Sequence, residues 1–176
     1  MRRPALLLGS LAAVLAGCGS GHRALPCNRL PGRGVPILRD IHHIAYVDAP
    51  HVPYDSVPPT SGPHVPFVVA PGPYSSPIPD ALQVHDLEHG HVVIQYASGT
   101  LKHDRRELED FARRYPRDVL VAPYPKLRSG IALTVWGRIE LMPRPDSKRI
   151  RAFVTAFRGR YVHGWRGGAK PCTTYK

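Results

Sequence analysis

The chain has 176 residues, 24 of them basic and 13 acidic, for a formal net charge of +11. That length suffices for one domain and is too short for two ordinary ones. Removing the first 17 residues, which read as an export signal, leaves 22 basic against 13 acidic residues, a net of +9. A basic exported domain meets anionic lipid or cell-wall polymer rather than chromosomal or messenger nucleic acid, so no nucleic-acid partner is expected.

The N-terminus reads Met1-Arg2-Arg3, then an apolar run over 5–16, then Leu15-Ala16-Gly17-Cys18. This is a positive region, a short hydrophobic region and a lipoprotein-type cleavage box, the order of an export signal. The twelve apolar or small residues cover about 18 Å as a helix, well short of the roughly 30 Å hydrocarbon core. A permanent transmembrane helix is therefore not expected, and no later segment is apolar enough to span. The box predicts that Cys18 carries a diacylglycerol thioether and becomes the new N-terminus, which makes the chain an extracytoplasmic lipoprotein anchored by membrane lipid. An ordinary signal peptide with an incidental cysteine would instead release the domain. The expected organisation is a signal peptide over 1–17, a tether and N-terminal extension over 18–40, one globular domain over 41–162 and a C-terminal tail over 163–176.

With Cys18 used for lipid, Cys27 and Cys172 remain, near opposite ends of the mature chain and in an oxidising compartment where thiols pair. A disulfide between them would close a loop of about 145 residues, worth at most roughly 4 to 5 kcal/mol by the loop-entropy model. Free thiols on a disordered tail are the alternative.

Proline, 20 residues in all, is concentrated between residues 25 and 79, too densely for any long helix. This half reads as loops and short strands, with candidate strands at 44–47 and 67–70. The second half is more regular. Residues 91–97 are rich in β-branched side chains, 101–115 have helical periodicity ended by Pro116, and 119–124 form a second short strand. The run 131–142 reads as one strand with a bulge or bend at Gly137. Residues 146–161 form a helix with Ile150, Phe153, Val154 and Phe157 on one stripe and Asp146 as N-cap. The expectation is a single α+β domain, with a mixed β-sheet, two main helices in the C-terminal half and a Pro-rich, loop-dominated N-terminal half. The same β-α-β-β-α order occurs in thioredoxin-like folds, but without a Cys-x-x-Cys pair no redox chemistry follows.

Two segments concentrate chemistry: Pro58-Pro59-Thr60-Ser61-Gly62-Pro63-His64 and His85-Asp86-Leu87-Glu88-His89-Gly90-His91. If 81–89 is a short helix, His85 and His89 sit one turn apart on one face and can chelate one cation, with Glu88 adjacent to His85. Gly90 would end the turn in a left-handed conformation and lead the chain back through His91. The rigid loop ending at His64 could deliver a third imidazole. His64, His85 and His89 are thus the expected metal ligands, His91 an optional fourth, and Glu88 a supporting or catalytic carboxylate. Such a donor set suits zinc or copper(II). Copper(I) would want softer ligands, and Met142 is the only methionine left after processing. A hydrogen-bonded structural histidine cluster is the bland alternative, and His42, His43, His51, His103 and His163 read as surface or loop histidines.

His85-x-x-Glu88-His89 also matches the inverted zinc-peptidase signature, in which the glutamate activates metal-bound water. That chemistry wants a sustained helix and an additional glutamate ligand from a following helix, whereas Gly90 and a β-rich run come directly after His89. Glu107 and Glu109 on the next helix are the candidates for that ligand. A zinc-dependent hydrolase and a non-catalytic cell-envelope module therefore stand as alternatives to a metal-binding lipoprotein. Ser61 lacks a nucleophile elbow, and Thr60 and Ser61 more simply supply hydroxyls to the turn backbone.

Together with Trp136-Gly137, these motifs resemble the bacterial family known as domain of unknown function 3105, over roughly residues 54–157. The matching positions are Pro59, Thr60, Ser61, Gly62, His64, His85, Glu88, His89 and Gly90; His91 is not part of the pattern. The resemblance implies a location for the site and a fold unit, and carries no activity.

Overall fold

The computed structural model describes residues 26–166 and 172–176, so the segment read as an export signal, and Cys18 with it, lies outside the described residues. After a 3-10 turn at Cys27–Arg29 come strands β1 (Arg33–Gly34) and β2 (Gly72–Pro73), helix α1 (Asp80–Glu88), β3 (Val92–Tyr96), α2 (Lys102–Arg114), β4 (Val119–Pro123), β5 (Ile131–Val135), β6 (Arg138–Met142) and α3 (Ser147–Phe157). The six strands form one mixed sheet in the order β1-β6-β5-β3-β4-β2. β3 and β4 are parallel, connected through α2, while β5 runs antiparallel to both β3 and β6. This is the single α+β domain that the sequence pattern predicts.

Period-two alternation splits the central strands between two cores, which is why β3 and β5 are buried at every position. Val92, Ile94, Val119, Val121, Ile131 and Leu133 face α2 and α3, meeting Leu108, Phe111, Ile150, Phe153, Val154 and Phe157. The entire predicted stripe of α3 is buried, and the Asp146 carboxylate accepts from the backbone N–H of Lys148 and Arg149 as an N-cap. Val93, Leu120 and Ala122 point the other way, toward Val84 and Leu87 of α1 and toward Ile37, Trp136 and Tyr161. The side-chain amides of Gln83 and Gln95, 2.9 Å apart, add a buried polar tie between α1 and β3. No helix among the described residues is long and apolar enough to cross a membrane.

Three expectations need correction. The run 131–142 is a hairpin rather than one bent strand: Trp136 and Gly137 form the turn, with Gly137 at φ +68°. A side chain there would also press into Ile37, whose Cγ1 and Cδ1 would lie 2.9 Å from a Cβ. Residues 44–47 and 67–70 form no strands, and the ladder in this region shrinks to a single bridge between His43 and His64. Proline removes donors throughout, and Pro66 precedes Phe67 and Val68, which are exposed and have no core face to align. β2 carries Pro73 at the sheet edge, where the missing N–H breaks no central ladder.

The third correction concerns the ends. The segment read as a tether over 18–40 is integral to the domain from Cys27: β1 pairs with β6, and Val35, Ile37 and Leu38 are buried. The tail read over 163–176 returns to it. The Ile37 N–H donates to the Thr174 carbonyl and the Lys176 N–H to the Ile37 carbonyl, both at 2.8 Å. The predicted Cys27–Cys172 disulfide is present, with Cα atoms 5.4 Å apart.

Candidate metal centre

The loop 60–64 is fixed from several sides. The Ser61 Oγ accepts from the Leu38 N–H at 3.1 Å, the Tyr54 hydroxyl donates to the Pro63 carbonyl at 2.8 Å, and the Thr60 carbonyl accepts from the Gly137 N–H at 2.9 Å. Ser61 is thus committed to the backbone, as its turn context predicts, whereas the Thr60 hydroxyl is buried without a hydrogen-bond partner. Gly62, at φ +123°, leaves room for Leu38 and the Tyr54 ring at 2.9 Å from where a Cβ would sit. The outcome is that His64 is 0% exposed and its ring is aimed at the last turn of α1.

α1 supplies His85 and Glu88, three residues apart and on adjacent positions of one face. His64 Nε2 lies 3.1 Å from Glu88 Oε2, and His85 Nδ1 lies 3.8 Å from the same oxygen. His43, brought in through its bridge to His64, stacks edge-on against both rings, with centroids 5.0 Å from His64 and 5.5 Å from His85. One ligand atom from each of His43, His64, His85 and Glu88 lies within 4.8 Å of all the others, so this group could hold a metal ion.

The proton inventory of the cluster is informative. A carbonyl can only accept, so His64 Nδ1, 2.8 Å from the Gly62 oxygen, must carry the hydrogen. In a neutral ring Nε2 then presents a lone pair, and it faces a carboxylate oxygen. Two acceptors at 3.1 Å require a cation between them, either a proton or a metal ion. His85 Nδ1 is buried with no hydrogen-bond partner. Burial first, then the neighbouring His64 and His89, push the His85 pKa down to about 4, so this ring stays neutral and able to ligate at ordinary pH.

The other predicted ligands are placed differently. His89 caps α1, and its ring lies 4.6 Å from that of His85, yet it does not belong to the four-group cluster. Burial, followed by the neighbouring His163, lowers its pKa. His91 is turned to Asp86, its Nδ1 3.1 Å from Oδ1, and Asp86 also accepts from the Val69 N–H. Gly90 takes the left-handed conformation at φ +85°, as expected, and for a second reason: a Cβ there would lie 2.6 Å from the Tyr161 carbonyl oxygen. His43 and His163, both read from sequence as surface or loop histidines, are at the site. His163 Nδ1 lies 3.4 Å from Glu88 Oε2. No local pattern announces either residue, because each reaches α1 only through the tertiary fold. Glu107 and Glu109 cannot contribute, since α2 covers the opposite face of the sheet.

The family model for Protein of unknown function (DUF3105) matches residues 47–169. The chain belongs to that family. His64, His85, Glu88, His89 and His163 lie inside the matched range, and His43 lies just before it. No curated protein and no solved structure matches the chain.

Proposed function

We propose that this member of the family is a metal-binding lipoprotein domain that holds one zinc or copper(II) ion between His43, His64, His85 and Glu88, outside the cytoplasm and anchored through Cys18. The observation that carries this reading is the His64 Nε2 lone pair facing Glu88 Oε2 beside the unpartnered His85 Nδ1. A proton between His64 and Glu88 would satisfy that pair alone. One metal ion satisfies His85 and His43 as well.

The dimensions fit. Metal–ligand bonds of about 2.0 to 2.1 Å give a tetrahedral edge of about 3.4 Å, which the 3.1 and 3.8 Å separations bracket, while the whole group spans 4.8 Å, so its outer ligand closes in when the ion binds. Imidazole and carboxylate donors favour zinc or copper(II) over copper(I). Among the described residues the soft sulfurs are elsewhere: Met142 is in the core under α2 and α3, and Cys27 and Cys172 are oxidised. The hydrolase alternative fits less well. Its signature needs His89 on the metal and Glu88 set back on a water, whereas Glu88 belongs to the ligand group and His89 does not.

Elemental analysis of the purified chain tests the reading: a single ion per chain is expected, lost in His64→Ala and in His85→Ala proteins that still unfold cooperatively. A parent chain that takes up neither zinc nor copper(II) sinks it. For the anchor, Cys18→Ser should abolish lipid labelling, and unchanged membrane fractionation of that variant would refute it.

A second reading concerns the opposite side of the molecule. Lys102, Arg106 and Arg114 of α2 and Lys148 and Arg151 of α3 are exposed, which supports contact with an anionic lipid surface or cell-wall polymer. Binding of the chain to anionic vesicles that weakens as salt rises is the expected result.

A further inference from the structure

The histidines do not stop at the inner group. From His85 the rings continue to His89, with centroids 4.6 Å apart, and from His89 to His163, again 4.6 Å apart. Exposure rises along the row: His64 is 0% exposed, His85 6%, and the His163 side chain 54%. The Glu88 carboxylate joins the two ends, because the same Oε2 that faces His64 and His85 also faces His163 Nδ1 at 3.4 Å.

The turn that carries His163 is built onto α1. The His163 N–H donates to the Glu88 carbonyl at 3.1 Å, the Gly159 N–H donates to the Gly90 carbonyl at 2.8 Å, and Tyr161 stacks on Trp136 with centroids 4.8 Å apart. His163 itself sits at φ +50°, one of two non-glycine residues among those described with a positive φ. Its flanking glycines, Gly159 and Gly164, meet no neighbouring atoms where a Cβ would project. The turn thus places the His163 imidazole beside Glu88 at the mouth of the cluster, anchored to α1 at its base and open at its sides.

Resting on the metal-binding reading above, we propose that His89 and His163 form a solvent-facing transfer station that passes the ion to and from the inner group through Glu88. Three of the four inner ligands, His64, His85 and Glu88, are buried and His43 is exposed, so simple dissociation of the ion would strand the three buried donors unpaired, whereas exchange of one ligand at a time keeps it coordinated throughout. His163 takes up the ion as an inner imidazole releases it, while Glu88 stays bound. Coordination bonds are traded one for one, and no redox or covalent step is involved.

The kinetics of zinc exchange decide it, with the full chain, zinc ion alone as ligand and a chromophoric chelator as the competitor. His163→Asn, which keeps a residue tolerant of the left-handed backbone, and His89→Gln should each slow loading and release by a common factor. That factor is about ten, equivalent to about 1.4 kcal/mol on the barrier. Affinity, the ratio of the two rates, then stays unchanged. If release instead becomes faster and affinity falls about 10- to 100-fold, His163 merely orients Glu88 as an outer hydrogen-bond partner, and the transfer role is refuted. Unchanged rates in both variants refute it too. These two failures leave the metal site standing, whereas a parent chain that takes up no zinc and no copper(II) removes both proposals together.

Discussion

The two faces of the sheet are built from different materials. Under α2 and α3 the core is mostly aliphatic and aromatic, with Arg138 and Glu140 buried at its margin against Phe157 and Arg149, and its main elements are regular helices and strands. Under α1 the same sheet is covered by a short helix and Pro-rich loops, and the buried layer includes His64, Gln83, His85, Asp86 and Glu88. His85 Nδ1, Asp86 Oδ2, Thr60 Oγ1 and Trp136 Nε1 are buried there without partners. Burying a polar atom without a hydrogen bond costs about 1 to 3 kcal/mol, so such a layer persists only where the rest of the fold offsets it. One face stabilises the domain, and the other uses that stability to hold polar groups in an arrangement that water would otherwise undo.

Substitutions sort by face if this contrast is right. The largest effect belongs to the apolar side: Phe153→Ala should cost about 3 to 5 kcal/mol, read from urea unfolding, and leave the metal stoichiometry of the folded fraction unchanged. Opening the Cys27–Cys172 disulfide by paired serine substitution comes next, at about 2 to 5 kcal/mol. It should also free the 172–176 segment from residues 35–39, seen as faster amide exchange at Ile37 and Arg39.

A smaller effect belongs to the histidine face and depends on pH. His85 has its pKa lowered from the ordinary 6.5 to about 4. Between those values the unfolded chain takes a proton that the folded chain refuses. Its contribution to stability is therefore complete above about pH 6.5 and is lost as pH falls toward about 4. The metal-free parent should show a steeper fall of its urea midpoint across that window than His85→Gln, and equal slopes would contradict the assignment. Smallest of all is His103→Ala. That side chain is 72% exposed on α2, so stability should move by no more than about 0.5 kcal/mol and zinc affinity should not change.

Legibility in the sequence follows the same division. The stripe Ile150, Phe153, Val154, Phe157 and the Asp146 cap are local periodic signals, and α3 forms on them, although it ends at Phe157 rather than at the expected Tyr161. α1 likewise follows from the 81–89 reading, with its bounds shifted by one residue at each end. Gly137 was visible as a backbone irregularity, yet bend and hairpin turn cannot be told apart without knowing whether the two arms pair. At the site, His64, His85 and Glu88 stood out through their motifs, while His43 and His163 did not.

What the sequence determines by itself is what nearest neighbours along the chain can decide: helix faces, the helix N-cap and the glycine that ends α1. Only the tertiary structure decides that His43 lies beside His64, that His163 rather than His91 approaches Glu88, and that both chain ends join the sheet. Those contacts depend on loop paths and strand order. Their geometry is set by how the whole core packs, so no short stretch of sequence carries it.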